Sequence, residues 1–259
     1  MKIRLLSDLH TEFRLPYKTQ SFAEYRGEDV LVLAGDIASG STNTVEVIKF
    51  FRKQGFPHVV YVPGNHEYYG TSISDFDQKM QDKCAGLDGV HFLNPGQVEI
   101  GGVLFIGATL WTNFADNFFS MKAAQRCISD FSYIKGSSPE IARFRTDDAV
   151  QLYNKHIAYI KDAYENRNGR KVVVVTHFLP ATECISPRFA NPADLVNDYF
   201  ANNLGGYISE MTDTTWLFGH THDHVDKVLG DTRVVANPHG YYNAMNDGIG
   251  FNPFEVVEV

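Results

Sequence analysis

Cysteine is scarce in this chain of 259 residues, which contains only Cys84, Cys127 and Cys184. The three are far apart and form no CxxC pair, so the sequence excludes a cysteine-rich structural zinc site. An odd number of scattered cysteines is typical of a protein from a reducing compartment. We therefore expect a cytoplasmic protein.

Long hydrophobic runs are also missing. No apolar stretch approaches the length of a transmembrane helix. The N-terminal sequence MKIRLLSDLH is interrupted by Asp8 before the apolar core of a signal peptide could form. We expect a soluble protein with no membrane partner.

Positive charge is in deficit, with 23 lysines and arginines against 31 aspartates and glutamates and a net charge of −8. The basic pairs Arg52-Lys53 and Arg170-Lys171 are too short to form a basic tract. Broad electrostatic attraction to nucleic acid or to an anionic membrane is therefore disfavoured. An anionic substrate would have to be attracted locally, by a bound cation or by a few well-placed residues.

Apolar runs define the organisation of the chain. No repeat, low-complexity segment or change in composition marks a linker, so we expect one domain over residues 1–259. Short runs rich in β-branched residues predict strands buried on both faces. These runs are IRLL (3–6), VLVLA (30–34), VVYV (59–62), VLFIGA (103–108), VVVV (172–175) and WLF (216–218).

Hairpins and helices are predicted around these strands. QVEIGGVLFIG and VDKVLGDTRVV predict hairpins that turn at the pairs 101–102 and 230–231. One helical stripe follows a cap at Ser41 or Thr42 and stops at Gly55, and a second begins after Thr146 and ends at Gly169. Crossover helices and hairpins together indicate mixed sheets covered by helices, an α/β layered architecture.

Polar residues of metal-ligand type follow five of the predicted strands. In open α/β sheets, ligands bind outside the carboxyl ends of the strands. A single Asp or Asn at such a position could serve only to cap a turn, but five such ends favour one shared site. The residues are Asp8 and His10 after IRLL, Asp36 after VLVLA, Asn65, His66 and Glu67 after VVYV, His177 after VVVV, and His220 and His222 after WLF.

The candidate ligands are too numerous for one catalytic metal, since they include two aspartates, an asparagine and four histidines. Mixed oxygen and imidazole ligands without thiolates suit zinc, manganese or iron rather than calcium. Two metals roughly 3.5–4 Å apart would share a carboxylate and a hydroxide, the arrangement used for in-line displacement at phosphorus. Asp36 is best placed by sequence to be the shared carboxylate.

The ordered motifs resemble those of the calcineurin-like, dinuclear metallophosphoesterases, which are D-x-H, G-D-x-x, G-N-H-[ED], a single H, and G-H-x-H. The C-terminal segments TRVVANPHGYY and FEVVEV are also similar to bacterial and phage members, so the resemblance covers nearly the whole chain. The matching residues are Asp8-Leu9-His10, Gly35-Asp36, Gly64-Asn65-His66-Glu67, His177 and Gly219-His220-Thr221-His222.

The resemblance implies a four-layer α/β/β/α sandwich with two divalent metals at one sheet edge, and manganese is favoured over iron or zinc. A metal-bridging hydroxide would be the nucleophile. His66 would hydrogen-bond the phosphoryl oxygen or protonate the leaving group, and Asp36 would bridge the ions. The implied ligands are Asp8, His10, Asp36 and His222 for the first metal, and Asp36, Asn65, His177 and His220 for the second.

Residues outside the motifs are expected to support the site or the fold. We expect His224 to lie beside the ligands or in solvent, and Glu67 to support the loop or a ligand histidine. Trp111 is predicted either to line the cleft or to belong to the core. Surface or structural roles are predicted for His58, His91, His156 and His239, with a contact at the site rim as the alternative for His239.

Residues 181–206 form a polar, proline-broken stretch before the last motif. The stretch is predicted to be either a lid, in which Arg188 grips a phosphate, or an ordinary surface segment. Substrate contacts would then come from Asn65, His66 and Arg188.

The sequence predicts a metal-dependent hydrolase acting on a small phosphate ester such as a nucleotide. A phosphodiesterase is favoured, because the GNHE series resembles cyclic-nucleotide-type phosphodiesterases and His66 could protonate a poor alkoxide leaving group. A phosphomonoesterase, a nucleotidase and a DNA nuclease are alternatives on the same site, the last disfavoured by the net charge. A metal-free binding scaffold is disfavoured because it predicts damaged ligands, and none is damaged.

Overall fold

Thirteen strands and seven α-helices lie in the residues that the computed structural model describes, which are 1–13, 23–138, 141–191, 194–241 and 247–259. The strands are β1 (Lys2–Leu6), β2 (Val30–Ala34), β3 (Val59–Val62), β4 (Val90–Phe92), β5 (Gly96–Ile100), β6 (Val103–Ala108), β7 (Lys135–Ser138), β8 (Ile141–Arg143), β9 (Lys171–Thr176), β10 (Thr214–Phe218), β11 (Val225–Leu229), β12 (Thr232–Ala236) and β13 (Val256–Glu258). The helices are α1 (Ser41–Gln54), α2 (Ile73–Ala85), α3 (Phe118–Cys127), α4 (Asp130–Tyr133), α5 (Thr146–Glu165), α6 (Asn197–Phe200) and α7 (Gly205–Ser209).

Two large mixed sheets form the centre of the fold. Their strand orders are β13-β1-β2-β3-β4 and β11-β12-β10-β9-β6-β5, and a separate pair is formed by β7 and β8. Strands β1 to β4 are parallel, as are β6, β9, β10 and β12, while β5, β11 and β13 are antiparallel to their neighbours. The β5–β6 and β11–β12 pairs confirm both predicted hairpins.

The two sheets pack face to face, and helices cover their outer faces. Alternate residues of β1, β2 and β3 form an inner core with those of β6, β9 and β10. The remaining faces pack against α1 and α2 on one side and against α5 on the other. Since both faces of the central strands are covered, their sequences are apolar without interruption. The predicted four-layer α/β/β/α sandwich is confirmed.

All six predicted strands are present, and none is extended by more than two residues at either end. The predicted cap of the first helix is wrong, because Ser41 is already helical and Gly40 is the residue before it. The hydroxyls of Ser41 and Thr42 instead accept hydrogen bonds from Nζ of Lys83, at 3.3 and 2.9 Å. The predicted stop at Gly55 is confirmed.

The helix predicted after Thr146 begins at that residue but ends at Glu165, so the predicted end at Gly169 is wrong. Nδ2 of Asn166 donates to the carbonyl of Asp162 at 2.9 Å, which satisfies a carbonyl of the last turn and closes the helix early. This helix is the longest in the described part of the chain, and none of those helices is long and apolar enough to cross a membrane.

A buried ion pair joins β1 to the segment before β2. The Arg4 side chain is fully buried, pairs with the buried carboxylate of Glu28, and donates to the carbonyl of Pro253 at 2.9 Å. Burial lowers the pKa of Arg4 to about 10, which leaves the guanidinium charged at neutral pH. Arg4 therefore links β1 to the chain that leads into β13.

Replacing Glu28 by alanine leaves the Arg4 guanidinium buried without its counter-ion. We expect the free energy of unfolding to fall by roughly 3–5 kcal/mol, the cost of removing one partner of a buried pair. The control is Asp226→Ala, which breaks the exposed Asp226–Arg233 pair and should cost less than about 1 kcal/mol. Urea denaturation measures both, and equal losses would contradict a special role for the buried pair.

Candidate metal centre

Left-handed backbone conformations turn the chain sharply after three strands, β1, β2 and β10, and aim polar side chains at one place. A positive φ is uncommon for residues other than glycine, and such strain is concentrated at functional sites. Five of the seven predicted metal ligands have it: Asp8 (φ 53°), His10 (44°), Asp36 (53°), His220 (65°) and His222 (52°).

The structure places the predicted ligands in two groups. Asp8, His10 and His222 offer ligand atoms that all lie within 4.8 Å of one another, and Asp36, His177 and His220 form a second such group. In the first, Nε2 of His222 lies 3.4 Å from Oδ1 of Asp8.

Asn65 joins the second group through its side-chain oxygen. Nε2 of His177 lies 3.0 Å from Oδ1 of Asn65, 3.1 Å from Nδ1 of His220 and 3.5 Å from Oδ2 of Asp36. All four side chains therefore face one small volume.

The Asp36 carboxylate lies between the two groups. Its Oδ2 is 3.5 Å from Nε2 of His177 and 3.7 Å from Nε2 of His10, so one oxygen faces a histidine of each group. Its Oδ1 accepts the backbone N–H of His66 at 2.9 Å. This carboxylate has the position needed to contact two cations at once.

The ligand set fits a pair of divalent cations. Nε2 of His10 and Nε2 of His220 are buried and have no hydrogen-bond partner among the described residues. Buried polar atoms are rarely left without a partner, and a cation accepts the lone pair of such a nitrogen. The mixture of carboxylate, amide and imidazole atoms suits zinc, manganese or iron.

Protons compete with cations at this centre. Against the effect of burial, Asp36 raises the pKa of His177 to about 9, and Asp247 raises that of His222 to about 10. Burial and the charge of His177 hold the pKa of His220 well below its usual value. Without metal, the His177–His220 hydrogen bond therefore joins a protonated ring to a neutral one. Because metals bind neutral imidazole, their binding here must release protons.

Glu67 fixes the loops that carry Asp36 and Asn65. Its fully buried carboxylate accepts three backbone N–H groups, from Asp36 at 3.0 Å, Ile37 at 2.7 Å and Gly64 at 2.9 Å. Burial, followed by the nearby charge of Asp36, raises the pKa of Glu67 to about 8. Glu67 thus supports the loop rather than a ligand histidine.

Asp130 orients the Asn65 amide, and sequence reasoning missed it. The buried Asp130 carboxylate accepts Nδ2 of Asn65 at 3.0 Å, Oη of Tyr69 at 2.7 Å, and Oη of Tyr199. With its nitrogen held there, Asn65 presents its oxygen to His177. Burial raises the pKa of Asp130 even though three donors oppose the shift.

Asp247 and Tyr241 were also missed. Asp247 accepts from Nδ1 of His222 at 3.0 Å, the contact that commonly orients a metal-binding histidine. It also accepts from the backbone N–H of Tyr241 at 2.6 Å. The Tyr241 ring lies against the rings of His10 and His222. No strand ends near these two residues, so the strand-end pattern gave no signal for them.

His66 lies beside the two ligand groups. Its Nε2 is 3.0 Å from Oη of Tyr241 and 3.4 Å from Oη of Tyr69, and its Nδ1 is 3.7 Å from Glu12. Burial lowers the pKa of His66, but the charges of Asp36 and Glu12 outweigh it and raise the pKa to about 9.

Glu12 adds a third set of potential ligands, together with His10 and His66. Its carboxylate lies 3.3 Å from Nδ1 of His10. Although burial opposes the shift, His10 and His66 lower the pKa of Glu12 to about 2. Since this set shares His10 with the first group, it is an edge of the same centre.

The remaining histidines lie outside the two groups. His224 faces Glu255, with 3.9 Å between Nε2 and Oε1. Nδ1 of the buried His156 accepts the backbone N–H of Leu110, and burial lowers the pKa of His156 to about 3. His58 and His91 contact each other, and His239 packs on Phe251.

Trp111 belongs to the core. It is fully buried against Tyr68, Phe144 and Phe178.

Residues 181–206, of which 192 and 193 lie outside the described residues, form one wall of a cavity of about 450 Å³ that reaches His220 and His222. The Arg188 guanidinium lines this cavity and makes two hydrogen bonds to the Asp223 carboxylate, at 2.7 and 2.6 Å. It also lies 3.8 Å from Asp247. A phosphate contact by Arg188 stays a prediction.

The comparisons with known proteins agree with this geometry. A family model described as calcineurin-like phosphoesterase matches residues 1–224. Uncharacterized protein L509 of Acanthamoeba polyphaga mimivirus is 27% identical over 99% of this chain and 96% of its own length.

Solved structures share the fold at low identity. A phosphopantetheinyl hydrolase from Mycobacterium tuberculosis is 19% identical with a TM-score of 0.70, over 93% of this chain and 89% of the other. A dimetal phosphatase from Danio rerio is 11% identical with a TM-score of 0.52, over 91% and 86%.

Replacing Asp130 by asparagine removes the charged acceptor that holds the Asn65 amide. We expect metal affinity to fall by roughly 10–100-fold, the range for a lost partner of a ligand, with the fold retained. Calorimetric titration with Mn²⁺ measures the affinity, and circular dichroism checks the fold.

The matched control is Asp77→Asn. Asp77 is another largely buried carboxylate that accepts from an amide, Asn94, and a phenol, Tyr68. Neither of these two partners is a candidate metal ligand. Asp77→Asn should keep its metal affinity. An unchanged affinity in Asp130→Asn would mean that Asn65 does not need this support.

Proposed function

The chain belongs to the calcineurin-like phosphoesterase family, and from that premise we propose that it is a phosphodiesterase with two divalent metals, manganese being favoured over iron or zinc. The observation that carries this proposal is the Asp36 carboxylate, which lies between two groups of ligand atoms. A carboxylate shared by two cations is the basis of two-metal phosphoryl chemistry.

We assign the ligands from the two groups. Asp36 is a member of the second group, and its Oδ2 also lies 3.7 Å from Nε2 of His10 in the first, so we include it in both sets as the bridge. The first set is Asp8, His10, Asp36 and His222, and the second is Asp36, Asn65, His177 and His220. Two divalent ions held there would polarise the phosphoryl oxygens and lower the pKa of a water molecule enough to supply a nucleophile near neutral pH.

His66 is proposed to donate a proton or a hydrogen bond as charge develops on the substrate. Its backbone N–H is bound to Asp36 at 2.9 Å, so the ring starts from a fixed point beside the centre. The Tyr241 hydroxyl, 3.0 Å from Nε2, lies where a substrate oxygen would approach and is a second donor for the same region. An alkoxide leaving group needs such a proton. A diester substrate is favoured because the G-N-H-E series resembles that of cyclic-nucleotide-type phosphodiesterases.

One domain over residues 1–259 and a cytoplasmic location complete the proposal. Strand β13 pairs with β1, so segments from both ends of the chain belong to one sheet.

All three cysteines are free, which suits a reducing compartment. Release of a stable shorter fragment by limited proteolysis would contradict the single domain, and recovery of the native protein outside the cytoplasmic fraction would contradict the location.

The substrate class is tested with a panel of cyclic nucleotides, bis-p-nitrophenyl phosphate, p-nitrophenyl phosphate and single-stranded DNA. Chelation should abolish hydrolysis, and manganese should restore it. Faster hydrolysis of the monoester or of DNA would replace the diester proposal with a monoesterase or nuclease. Metal analysis that finds no bound metal, together with no hydrolysis, would favour a binding scaffold.

Asp36→Asn should lose metal and activity together, because the bridging carboxylate contributes charge to both ions. Elemental analysis of the purified variant measures the metal content, and bis-p-nitrophenyl phosphate reports the activity. His224→Ala is the control, since His224 lies in the same segment as the proposed ligands His220 and His222 but faces Glu255, and it should keep both metals and most of the turnover. Metal loss in His224→Ala, or full metal content in Asp36→Asn, would show that the ligands are assigned wrongly.

His66→Ala should spare folding and metal content and reduce kcat on an alkyl diester by on the order of 10²–10⁴-fold, the range for a lost general acid or hydrogen-bond donor. The defect should shrink on a p-nitrophenyl diester, because p-nitrophenolate needs little protonation.

Kinetics on both esters, with metal content determined alongside, separate the outcomes. Equal losses would reject leaving-group protonation and leave phosphoryl stabilisation as the role of His66. Loss of metal would make His66 a ligand.

A further inference from the structure

We infer that the cavity beside His220 and His222 receives an uncharged, partly apolar substituent of the substrate, the ester group that stays on phosphorus, and selects against a second phosphate there. This inference rests on the proposed function and names the substrate class within it.

The position of the cavity assigns it to the retained ester. Its walls include His220 and His222, one from each ligand group, so it opens directly onto the candidate metal pair. His66 is not among the described lining residues, and its ring lies next to those of His10 and Tyr69. A group in the cavity therefore does not occupy the place beside the proton donor that a leaving group needs.

The size of the cavity suits one small substituent. Its volume of about 450 Å³ lies in the lower part of the roughly 300–1,000 Å³ range of small-molecule sites. A nucleoside fits that space.

The walls of the cavity are largely apolar. The centroid of the Phe200 ring lies 5.2 Å from that of the His220 ring, at an interplanar angle of 31°. The Phe200 ring therefore extends the surface that begins at His220, a proposed metal ligand. Phe189 is 46% exposed at the cavity. Its ring is therefore partly open to a group bound in the cavity. Leu179 and Ile185 complete the apolar lining.

The charges around the cavity are unfavourable for a second phosphate. Arg188 is the one lysine or arginine among the described lining residues, and its guanidinium is bound to Asp223 and lies close to Asp247. The lining also contains Asp194 and Asp247, two carboxylates against one guanidinium that is already paired with Asp223. A further phosphate in the cavity would meet walls that carry more negative than positive side chains, and like charges disfavour binding.

Three p-nitrophenyl diesters with one leaving group test the inference. They carry methyl, thymidine 5′-yl or 3′-phosphothymidine 5′-yl as the retained ester. We expect kcat/KM for the thymidine ester to exceed that for the methyl ester at least tenfold, since even one methylene in an apolar pocket is worth roughly 10–200-fold. The added 3′-phosphate should remove most of that gain.

Two variants assign these effects to the cavity. Phe189→Ala should lower kcat/KM severalfold more for the thymidine ester than for the methyl ester. Its matched control is Phe119→Ala, an exposed phenylalanine on α3 outside the cavity, which should change neither. Asp194→Asn keeps a side-chain oxygen for the Val196 N–H but removes a charge, so it should recover part of the rate on the 3′-phosphorylated ester.

Binding without turnover provides a second readout. Calorimetric dissociation constants for the matching methylphosphonates should follow the same order, with thymidine tighter than methyl and tighter than 3′-phosphothymidine. Equal kcat/KM values for the three diesters, or a preference for the 3′-phosphorylated one, would overturn the inference while leaving the phosphodiesterase proposal intact. Failure to hydrolyse any of them would overturn the proposed function itself.

Discussion

The position of the Asp36 carboxylate depends on two sheets whose strands end at the same place. The other candidate ligands are arranged around this carboxylate. Nδ1 of His177, directly after β9, donates to the Ala34 carbonyl of β2 at 2.9 Å, so the sheets touch where both deliver ligands. The packing around Asp36 leaves no room for a side chain on Gly35 or Gly64. A Cβ on Gly64 would lie 2.2 Å from Oδ1 of Asp36, and one on Gly35 would lie 2.3 Å from the His177 ring. The glycines in the G-D and G-N-H-E motifs are therefore required by close packing around the carboxylate.

The central strands and the predicted ligands could be read from the sequence for one physical reason. A strand covered on both faces is apolar throughout, so a polar residue directly after it is conspicuous, as Asp36 is after VLVLA. Asp130 and Asp247 gave no such signal. Asp130 lies on a four-residue helix, Asp247 lies in an irregular segment, and each reaches its ligand from a distant part of the chain. Helix ends were predicted less well because side-chain contacts such as Lys83 with Ser41 decide them.

An acidic protein can bind an anionic substrate if the positive charge that attracts the substrate is confined to the site and comes from bound cations. The net charge of −8 gives no general attraction, and the guanidinium at the cavity, Arg188, is bound to Asp223. Attraction would then come from the cations themselves. A centre of this kind draws a phosphate only when it is loaded, which couples substrate capture to metal occupancy.

The candidate ligands are spread over the chain from Asp8 to His222, and the backbone N–H of His220 binds the Asp8 carboxylate across 212 residues of sequence. Contacts between such distant segments close long loops, and the entropy cost of that closure opposes their formation. Each ligand group needs a histidine from after β10, so a chain that ends before His220 can assemble neither of them. If the centre binds metal as proposed, uptake has to wait until His222 has been synthesised, and a loaded centre would be a marker that the strand ends of both sheets have come together.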